Sequence, residues 1–326
     1  MKKRSVFGGV LILSILLILL GVAGGAFAAE GELLTFKPHT PLKYSLKVNS
    51  KTDLETNFRT YETKRGVAYK REDTLTLNQS VKEVDGGLLD IALTVDKINL
   101  IPHGASIGAQ LKREQIVGNT QHTFVNALGT IKKANGFPHF SSDHYYYRGH
   151  DGGPLDMYRV MLMLYPQFPL RLLKAGDGWE VKDKITVEAA DIVGELATIE
   201  HDLEHKINRR IKYTLLGFTE RKGYRTAHIG FEAKYGFDAS MISSYNGFYS
   251  NGSGEDKGEF WFAPKEGIVV EAKIDSRNIE NKSEDGQTVL VWLDPKTMIF
   301  LDLVDGQTTV PLKWRSEKTI SFGLAD

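Results

Sequence analysis

Apolar and polar residues alternate at every second position along most of the chain after residue 40. The first clear example is "LKYSLKVNS", in which Leu42, Tyr44, Leu46 and Val48 share one face and lysines occupy the other. Successive side chains of a β-strand point to opposite faces, so this period predicts half-buried antiparallel strands. We therefore expect a chain built almost entirely from strands.

Turn residues separate these alternating segments at hairpin spacing. Glycine tolerates the positive φ that tight hairpins require, and proline and charged residues are common beside it. Four hairpins are predicted, around residues 85–87, 221–223, 264–267 and 295–296. Strands that follow one another without intervening helices form antiparallel sheet. The predicted fold is mainly β, with one or more large curved antiparallel sheets or a half-barrel and one short amphipathic helix.

The predicted helix lies in "GGPLDMYRVMLMLYPQFP", residues 152–169. A proline and an aspartate suit its first turn, and a later proline ends it. Apolar residues recur at helical spacing between them, namely Met157, Val160, Met161 and Leu164. Two segments rich in Gly, Ser and Asn, residues 104–118 and 238–257, are predicted to be long loops.

The N-terminus has the three parts of a secretory signal peptide. Lys2, Lys3 and Arg4 precede an uncharged apolar run over residues 6–23, and "AFA" then provides a small-x-small cleavage site at residues 26–28. We expect a signal peptide over residues 1–28 and a β-rich domain over 29–326, with a sub-boundary near 135–155. The alternative is a retained anchor, because roughly 18 apolar residues can span a bilayer.

Charge and cysteine content narrow the class of protein. The chain has 41 basic and 41 acidic side chains; the first 28 residues hold three basic ones and no acidic ones, so the mature chain carries 38 against 41, a net charge of −3. This balance argues against a nucleic-acid partner and against an anionic lipid surface as the main target. The absence of cysteine excludes disulfides, thiolate metal sites and lipoprotein attachment. A periplasmic or secreted protein, with no membrane span after cleavage, is expected.

"EHDLEH" contains His201, Glu204 and His205 in the order of the inverted zinc-protease motif. That motif needs a helix, which brings both histidines to one zinc ion. Here charged and apolar residues alternate from 199 to 215, the period of a strand, which puts the glutamate on the other face. If the segment were instead a helix, the histidines would face solvent. Under both interpretations His201, Glu204 and His205 are ordinary structural residues and do not form a zinc site.

Two further stretches contain residue types that could carry chemistry. "GASIG" places Ser106 in a nucleophile-elbow pattern, but hairpins surround it rather than βαβ units. Residues 139–153 concentrate histidines, tyrosines and aspartates, which suits either a loop packed over the sheet or a ligand-contacting loop. The predicted ligand-binding residues are Tyr145, Tyr146, Tyr147, Met157, Met161 and Leu164, the candidate metal ligands are His144, His201 and His205, and no cofactor is predicted.

The layout resembles a group of bacterial envelope proteins of unassigned function. The resemblance rests on "LKYSLKV", "QHTFVNALGTIKKANG", "YPQFPLRLLKAGDGWEVKD", "IKYTLLGFTERKGYRTAHIGF" and "GEFWFAPKEGIVVEAKI", in this order. It covers most of residues 40–280. More loosely, the layout is similar to the half-barrel of periplasmic lipoprotein carriers, in which a curved sheet wraps a short helix and an apolar cavity. No catalytic residues follow from either resemblance.

The leading hypothesis is therefore an exported, non-enzymatic envelope protein that binds a lipid or other apolar ligand in a half-barrel. The methionine-bearing helix would be a soft cover for that ligand. The first alternative is a structural or protein-interaction module of the periplasm, which would have a filled sheet face and an exposed apolar patch. The second alternative is a metal- or serine-dependent hydrolase.

Overall fold

The computed structural model describes residues 31–56, 67–103, 117–118, 120–135, 160, 162–188, 202–242, 247–285, 288–294, 297–302 and 312–325. These residues are almost entirely β-strand, which confirms the predicted fold class. The strands are β1 (His39–Thr56), β2 (Val67–Val84), β3 (Leu88–His103), β4 (Thr120–Val125), β5 (Ile131–Asn135), β6 (Gly178–Glu188), β7 (Asp202–Arg221), β8 (Tyr224–Ile242), β9 (Gly247–Ala263), β10 (Ile268–Asp285), β11 (Thr288–Asp294), β12 (Thr297–Asp302) and β13 (Leu312–Leu324).

Eleven of these strands form one antiparallel sheet, in the order β5-β4-β3-β2-β1-β13-β10-β9-β8-β7-β6, while β11 pairs with β12. The two edge strands, β5 and β6, approach each other with Cα atoms within 8 Å. The sheet therefore curls into a nearly closed barrel. The strand that joins its two halves is β13, which pairs with β1 on one side and with β10 on the other.

One end of the barrel, here called the turn end, carries the tight connections. The predicted hairpins β2–β3, β7–β8 and β9–β10 are confirmed, and β11 pairs with β12 as expected. Gly86 and Gly87 have φ of 79° and 72°, which explains why glycine fills two of the three turn positions between β2 and β3. The long connections leave from the opposite end and lie largely outside the described residues.

The prediction of a long loop over 238–257 is wrong, because β8 continues to Ile242 and β9 starts at Gly247. Glycines with little intrinsic strand preference are accommodated here by aromatic rings from the neighbouring strand, which occupy the space that side chains would need. The paired positions are Phe231 with Gly258, Tyr235 with Gly254 and Phe237 with Gly252. The other predicted loop, 104–118, lies almost wholly outside the described residues.

Part of the connection between β5 and β6 packs against the inner face of the barrel. Because β5 leads away from the turn end and β6 starts there, the connection must return along the barrel. Its described part, residues 160 and 162–173, is here called the crossing segment. Val160, Leu162 and Met163 are helical, and the helical geometry has ended by Pro166, as predicted. The earlier part of the predicted helix lies outside the described residues.

The inner face of the barrel and the crossing segment form one apolar core. Near the turn end, Phe36 packs against Phe168 and Phe262 with ring centroids 5.7 and 5.1 Å away. On β1, Tyr44 stacks on Phe322 of β13 at 4.5 Å and donates a hydrogen bond to the carbonyl of Val269. These contacts close the turn end with the protein's own side chains.

The outer face of the barrel is charged and polar. On β1 and β10, lysines, asparagine, aspartate and arginine alternate with the buried positions, and they are exposed. Cross-strand ion pairs such as Lys47–Glu72 (2.6 Å) lie on this face. Within the part of the chain that the structure describes, no helix combines the length and the apolar character needed to cross a bilayer.

Candidate functional site

A charged pair lies on the inner face of the barrel, where neighbouring strand positions are apolar. Arg209 follows Ile207 and precedes Ile211 on the inward side of β7, and Asp183 is its register partner on β6. Only 6% of the Arg209 side chain and 8% of the Asp183 side chain are exposed. Burial of this kind is tolerated only when both charges are paired and hydrogen-bonded.

The pair has bidentate geometry. The Nε of Arg209 donates to Oδ1 of Asp183 at 3.0 Å, and its Nη2 donates to Oδ2 at 2.6 Å. Burial alone would lower the pKa of Arg209, but the hydrogen bonds and the charge of Asp183 outweigh burial and raise this pKa above its ordinary value. The guanidinium is therefore charged at every physiological pH.

The charged pair holds the crossing segment against the wall. The side-chain amide of Gln167 donates to Oδ2 of Asp183 at 2.5 Å, and Nη1 of Arg209 donates to the carbonyl of Leu162 at 3.2 Å. The Nε1 of Trp179 donates to the carbonyl of Gln167 at 2.7 Å. These hydrogen bonds fix the side chain of Gln167 and the backbone of the segment at Leu162 and Gln167.

Tyr213 completes this group, which we call the anchor cluster: Gln167, Trp179, Asp183, Arg209 and Tyr213. Its hydroxyl accepts a hydrogen bond from the backbone N–H of Gln167 at 3.3 Å, and its ring stacks on Trp179 at 5.2 Å. Burial raises the pKa of Tyr213 to about 12, so the phenol is neutral at physiological pH. A permanently charged arginine and a neutral phenol are suited to positioning the segment rather than to moving protons.

The anchor cluster belongs to a polar row that follows the strand register across the barrel. From β6 the row runs through Asp183, Arg209, Tyr235, Gly254, Asn278 and Ser316. On β6, β7 and β8 the inward positions closer to the turn end are apolar or aromatic, and the next inward positions on the other side of the row, Ile185, Ile207 and Phe237, are buried and apolar as well. Along these three strands the row therefore interrupts an otherwise apolar interior.

A depression of about 520 Å³ lies on the outside of the barrel above the same strands. Its rim is basic, with Lys182, Lys184, Arg210 and Lys234. Acidic neighbours balance part of this charge: Arg210 pairs with Glu180 at 2.9 Å, and Lys234 pairs with Glu255 at 3.0 Å. The depression is an open, partly neutralised surface.

Exposed leucines form a second surface feature, at the turn end. Leu170 is 80% exposed, Leu172 is 61% exposed and Leu33 is 40% exposed. We call these three residues the leucine patch. Two backbone hydrogen bonds of 2.9 Å between Glu32 and Leu173 join the segments that carry them. Because the bridge is antiparallel, Leu33 and Leu172 are neighbours on its outward side.

Most residues considered from the sequence as ligand contacts, metal ligands or a nucleophile lie outside the described residues: Ser106, His144, Tyr145, Tyr146, Tyr147, Met157, Met161 and His201. Leu164 is described, and it is fully buried in the protein's own core. His205 lies in β7 opposite Val187, so the predicted strand is confirmed from Asp202 onward. Among the described residues, no group of three or more histidine or acidic side chains could hold a metal ion.

The anchor cluster was not identified from the sequence, although a signal for it exists. The alternating pattern of β7 puts Arg209 on the apolar face, and the pattern of β6 puts Asp183 between Val181 and Ile185. Opposite charges at inward positions of successive strands indicate a buried pair when the two strands are neighbours. Gln167 had no comparable signal, because it lies in an irregular segment.

No family model matches the chain, and no curated protein matches it. Solved structures similar to it include OccK9 (OpdG) of Pseudomonas aeruginosa, with 6% identity, 86% of this chain and 98% of that chain covered, and a TM-score of 0.20. A mutant of the Rh. blastica porin gives 7% identity, 86% and 100% coverage and a TM-score of 0.20. A loop-deletion mutant of OmpT, an outer membrane protein of Vibrio cholerae, has 7% identity, with 87% of this chain and 99% of that chain covered and a TM-score of 0.23. At these TM-scores the likeness carries no argument about the fold or the function of this chain.

Proposed function

We propose that this chain is an exported, non-enzymatic protein of the bacterial envelope that acts as an interaction module through its outer surface. The observation that carries the proposal is the crossing segment, which occupies the barrel interior as part of the protein's own core. A carrier of apolar ligands needs that interior for its cargo. Export itself is proposed from the N-terminal sequence.

The contacts of the crossing segment support a permanent core. Val160, Leu162 and Leu164 are at most 2% exposed and pack with wall residues of the barrel. The hydroxyl of Tyr165 accepts a hydrogen bond of 3.0 Å from Gln79 on β2, while the anchor cluster holds the segment to β6 and β7. To displace the segment, a ligand would have to break hydrogen bonds on both sides of the barrel, including one to the buried carboxylate of Asp183 and one to the buried guanidinium of Arg209. Hydrogen bonds to charged groups contribute about 1.5–3 kcal/mol each.

The outer face supports an aqueous environment for the folded barrel. A barrel that spans a membrane carries an apolar band on its outward positions. Here the outward positions of β10 include Lys273, Asp275 and Arg277, all exposed. Charged residues at successive outward positions of a strand favour contact with water.

The second candidate is the carrier of a lipid or other apolar ligand. One observation favours it: the buried part of the crossing segment continues directly from the methionine-rich stretch that contains Met157 and Met161. A methionine-rich cover could exchange with an apolar guest. This function predicts that a lipid of defined mass accompanies the purified protein.

The absence of cysteine from the chain allows a direct test. A Leu164→Cys variant places a single thiol in the crossing segment, and a Leu170→Cys variant places one on the surface as the matched control. If the interior is permanent core, the thiol at position 164 will react at least about a thousandfold more slowly than the control, since buried sites open only rarely. Added lipid will not change the labelling rate of the thiol at position 164.

Native mass spectrometry of the protein purified from its own envelope, followed by solvent extraction, provides the complementary measurement. Lipid at one equivalent, together with lipid-dependent protection of the Leu164→Cys thiol, would overturn the interaction-module proposal in favour of the carrier. A lipid-free mass together with a constant, slow labelling rate supports the module.

A further inference from the structure

We propose that the leucine patch docks the barrel onto a lipid bilayer, with its leucines in the interfacial region and neighbouring cations at anionic headgroups. This inference rests on the proposed function, because it names the partner of the outer surface. The patch combines three features: exposed leucines, adjacent basic residues, and the arrival of the N-terminal segment at the same place.

The leucines are held outward by a fixed backbone. Leu173 is fully buried and bridges Glu32, so Leu172 on one side of it is directed outward. Leu34 is likewise fully buried, which directs Leu33 outward. Arg225 fixes the bridge further, since its guanidinium pairs with Glu32 at 2.5 Å and lies over the ring of Phe218 at 4.5 Å. The exposed leucines are therefore a feature of the folded barrel and not of a loose terminus.

The loop that carries Leu170 and Leu172 alternates leucine with basic residues, as "LRLLK" over residues 170–174. The Nη1 of Arg171 pairs with Asp177 at 3.0 Å, and Lys174 follows at the end of the loop. The loop therefore contributes two cations and one acid. Leucine side chains beside lysine and arginine suit the boundary between acyl chains and anionic headgroups.

The N-terminal part of the chain reaches the barrel at this patch. A Cβ added at Gly31 would lie 2.8 Å from the Cβ of Leu172, so Gly31 touches the patch. Seven residues separate Gly31 from the end of the apolar run at Ala23. The eight Cα-to-Cα steps from Ala23 to Gly31 span at most about 29 Å when extended. In a chain that retains the apolar run as an anchor, the bilayer that holds the run is therefore within reach of the leucine patch.

The net charge of −3 predicted for the mature chain gives no general attraction to anionic lipid. The leucines and basic residues of the patch determine instead how the barrel is oriented on the bilayer. Docking at the turn end leaves the opposite end of the barrel, from which the long connections leave, directed away from the bilayer. A second copy of the chain or another protein is the alternative occupant, and the experiment below separates these cases.

The test uses the protein as the cell makes it, purified from its envelope, with intact mass recording whether residues 1–28 are present. An environment-sensitive fluorophore is attached to the single thiol of a Leu170→Cys variant. The matched control carries it at Ile279→Cys, another exposed apolar position (42% exposed) on the outward side of β10. Both proteins are mixed with vesicles of phosphatidylcholine, with and without phosphatidylglycerol.

We expect a blue shift at position 170 and none at position 279, because only the patch enters the interface. A Leu170→Asp/Leu172→Asp variant with unchanged circular dichroism should bind vesicles at least about tenfold more weakly, whereas Ile279→Asp should not. A Lys174→Ser variant should lose part of the preference for phosphatidylglycerol.

An unshifted probe at position 170, or equal shifts at both positions, would overturn the docking surface. A shift that requires a second copy of the protein and no lipid would identify self-association instead and would also overturn it. These outcomes leave the interaction-module proposal intact, since that proposal fails only on lipid-responsive labelling at position 164 and one equivalent of co-purified lipid.

Discussion

The ring of Tyr235 on β8 covers Gly254, its register partner on β9. A Cβ added at Gly254 would lie 2.3 Å from the Cζ and Oη of Tyr235, and 2.8 Å from the carbonyl oxygen of Arg277 on β10. The aromatic ring thus fills the volume that a side chain would take. The backbone contact to β10 leaves little room for adjustment on the other side.

Replacement of this glycine by alanine should destabilise the barrel. In Gly254→Ala the new methyl group would displace the Tyr235 ring and press on β10, which is overpacking of a filled interior. We expect the free energy of unfolding in urea to fall by about 1–3 kcal/mol. The measurement is a pair of urea unfolding curves followed by circular dichroism.

Gly236→Ala is the matched control on the same strand pair. A Cβ at Gly236 would have its nearest neighbour at an ordinary 3.7 Å. Its unfolding curve should match the wild type or lie slightly above it, since glycine in a strand is unfavourable. Equal decreases in the free energy of unfolding for Gly254→Ala and Gly236→Ala would contradict the interpretation that the Tyr235 ring fills the space at Gly254.

The Asp183–Arg209 pair should show strong coupling. Removal of one partner in Asp183→Leu leaves a buried, uncompensated guanidinium, and the free energy of unfolding should fall by about 3–5 kcal/mol. In the double variant Asp183→Leu/Arg209→Met, both charges are gone and apolar atoms take their place. This variant should recover at least about 2 kcal/mol of the loss.

Double-mutant analysis by urea unfolding measures this coupling directly. Simple additivity of the two single losses would mean that the pair does not act as a unit. An Arg210→Met substitution on the outward face provides the control, because the pair it forms with Glu180 is exposed and such pairs contribute little.

Glu271 should make stability depend on pH in the acidic range. The hydrogen bonds from Arg221, at 2.6 and 2.8 Å, lower the pKa of Glu271 in the folded protein. Because the folded pKa is below the unfolded one, the stabilisation is complete above the unfolded value and is lost as the pH falls through the folded value. Arg221 is partly exposed, so we expect only about 0.5–1 kcal/mol.

Urea unfolding of the wild type and of Glu271→Gln tests this sign. The variant should be less stable at about pH 7, and the difference should shrink as the pH falls from there through the folded pKa of Glu271, because the folded state then also binds the proton. A difference that stays constant across this range would show that lost packing, rather than charge, explains the effect.

Buried tyrosines should make the barrel sensitive to alkali. Burial raises the pKa of Tyr44 and of Tyr165, and it raises the pKa of Tyr213 to about 12. Unfolded tyrosines ionise near pH 10. The stability that the neutral phenols contribute is therefore complete below about pH 10 and decreases as the pH rises further.

Ultraviolet absorbance of tyrosinate, recorded together with circular dichroism, checks this prediction. Part of the tyrosinate absorbance should appear only at the pH where the circular dichroism of the β-sheet is lost. Tyr44→Phe should reduce this late part of the absorbance. Complete tyrosine ionisation with the sheet intact would contradict the buried environment.

The strands and hairpins could be predicted because their signals are local. The alternation of apolar and polar residues along Leu42–Val48 can be recognised from neighbouring residues alone. The turn at Gly86 and Gly87 can be recognised in the same way. The pairing of β13 with β1 could not be predicted in the same way, because nothing near either strand specifies a partner more than 250 residues away. The part of β9 over 247–257 was missed for a related reason: its glycines pair with aromatic residues of β8, and a propensity argument does not include that partner.

The candidate site could be predicted only in part. The amphipathic pattern that ends at Leu164 predicts an apolar face but not what covers it, and in the structure this leucine is fully buried in the protein's own core. The role of Arg209 depends on the strand order, because its carboxylate partner is 26 residues earlier in the chain. The tyrosine cluster at 145–147 lies outside the described residues, and its ligand-binding role stays a prediction.

The position of β13 between β1 and β10 has a consequence for folding. Because β13 follows both of its neighbours in chain order, it must insert between two strands that are already synthesised, and neither half of the sheet can complete this edge earlier. Contacts over such long sequence separations are slow to form. During synthesis the sheet therefore stays open until β13 emerges, and loss of this strand alone would leave two long unpaired edges that could pair with other chains.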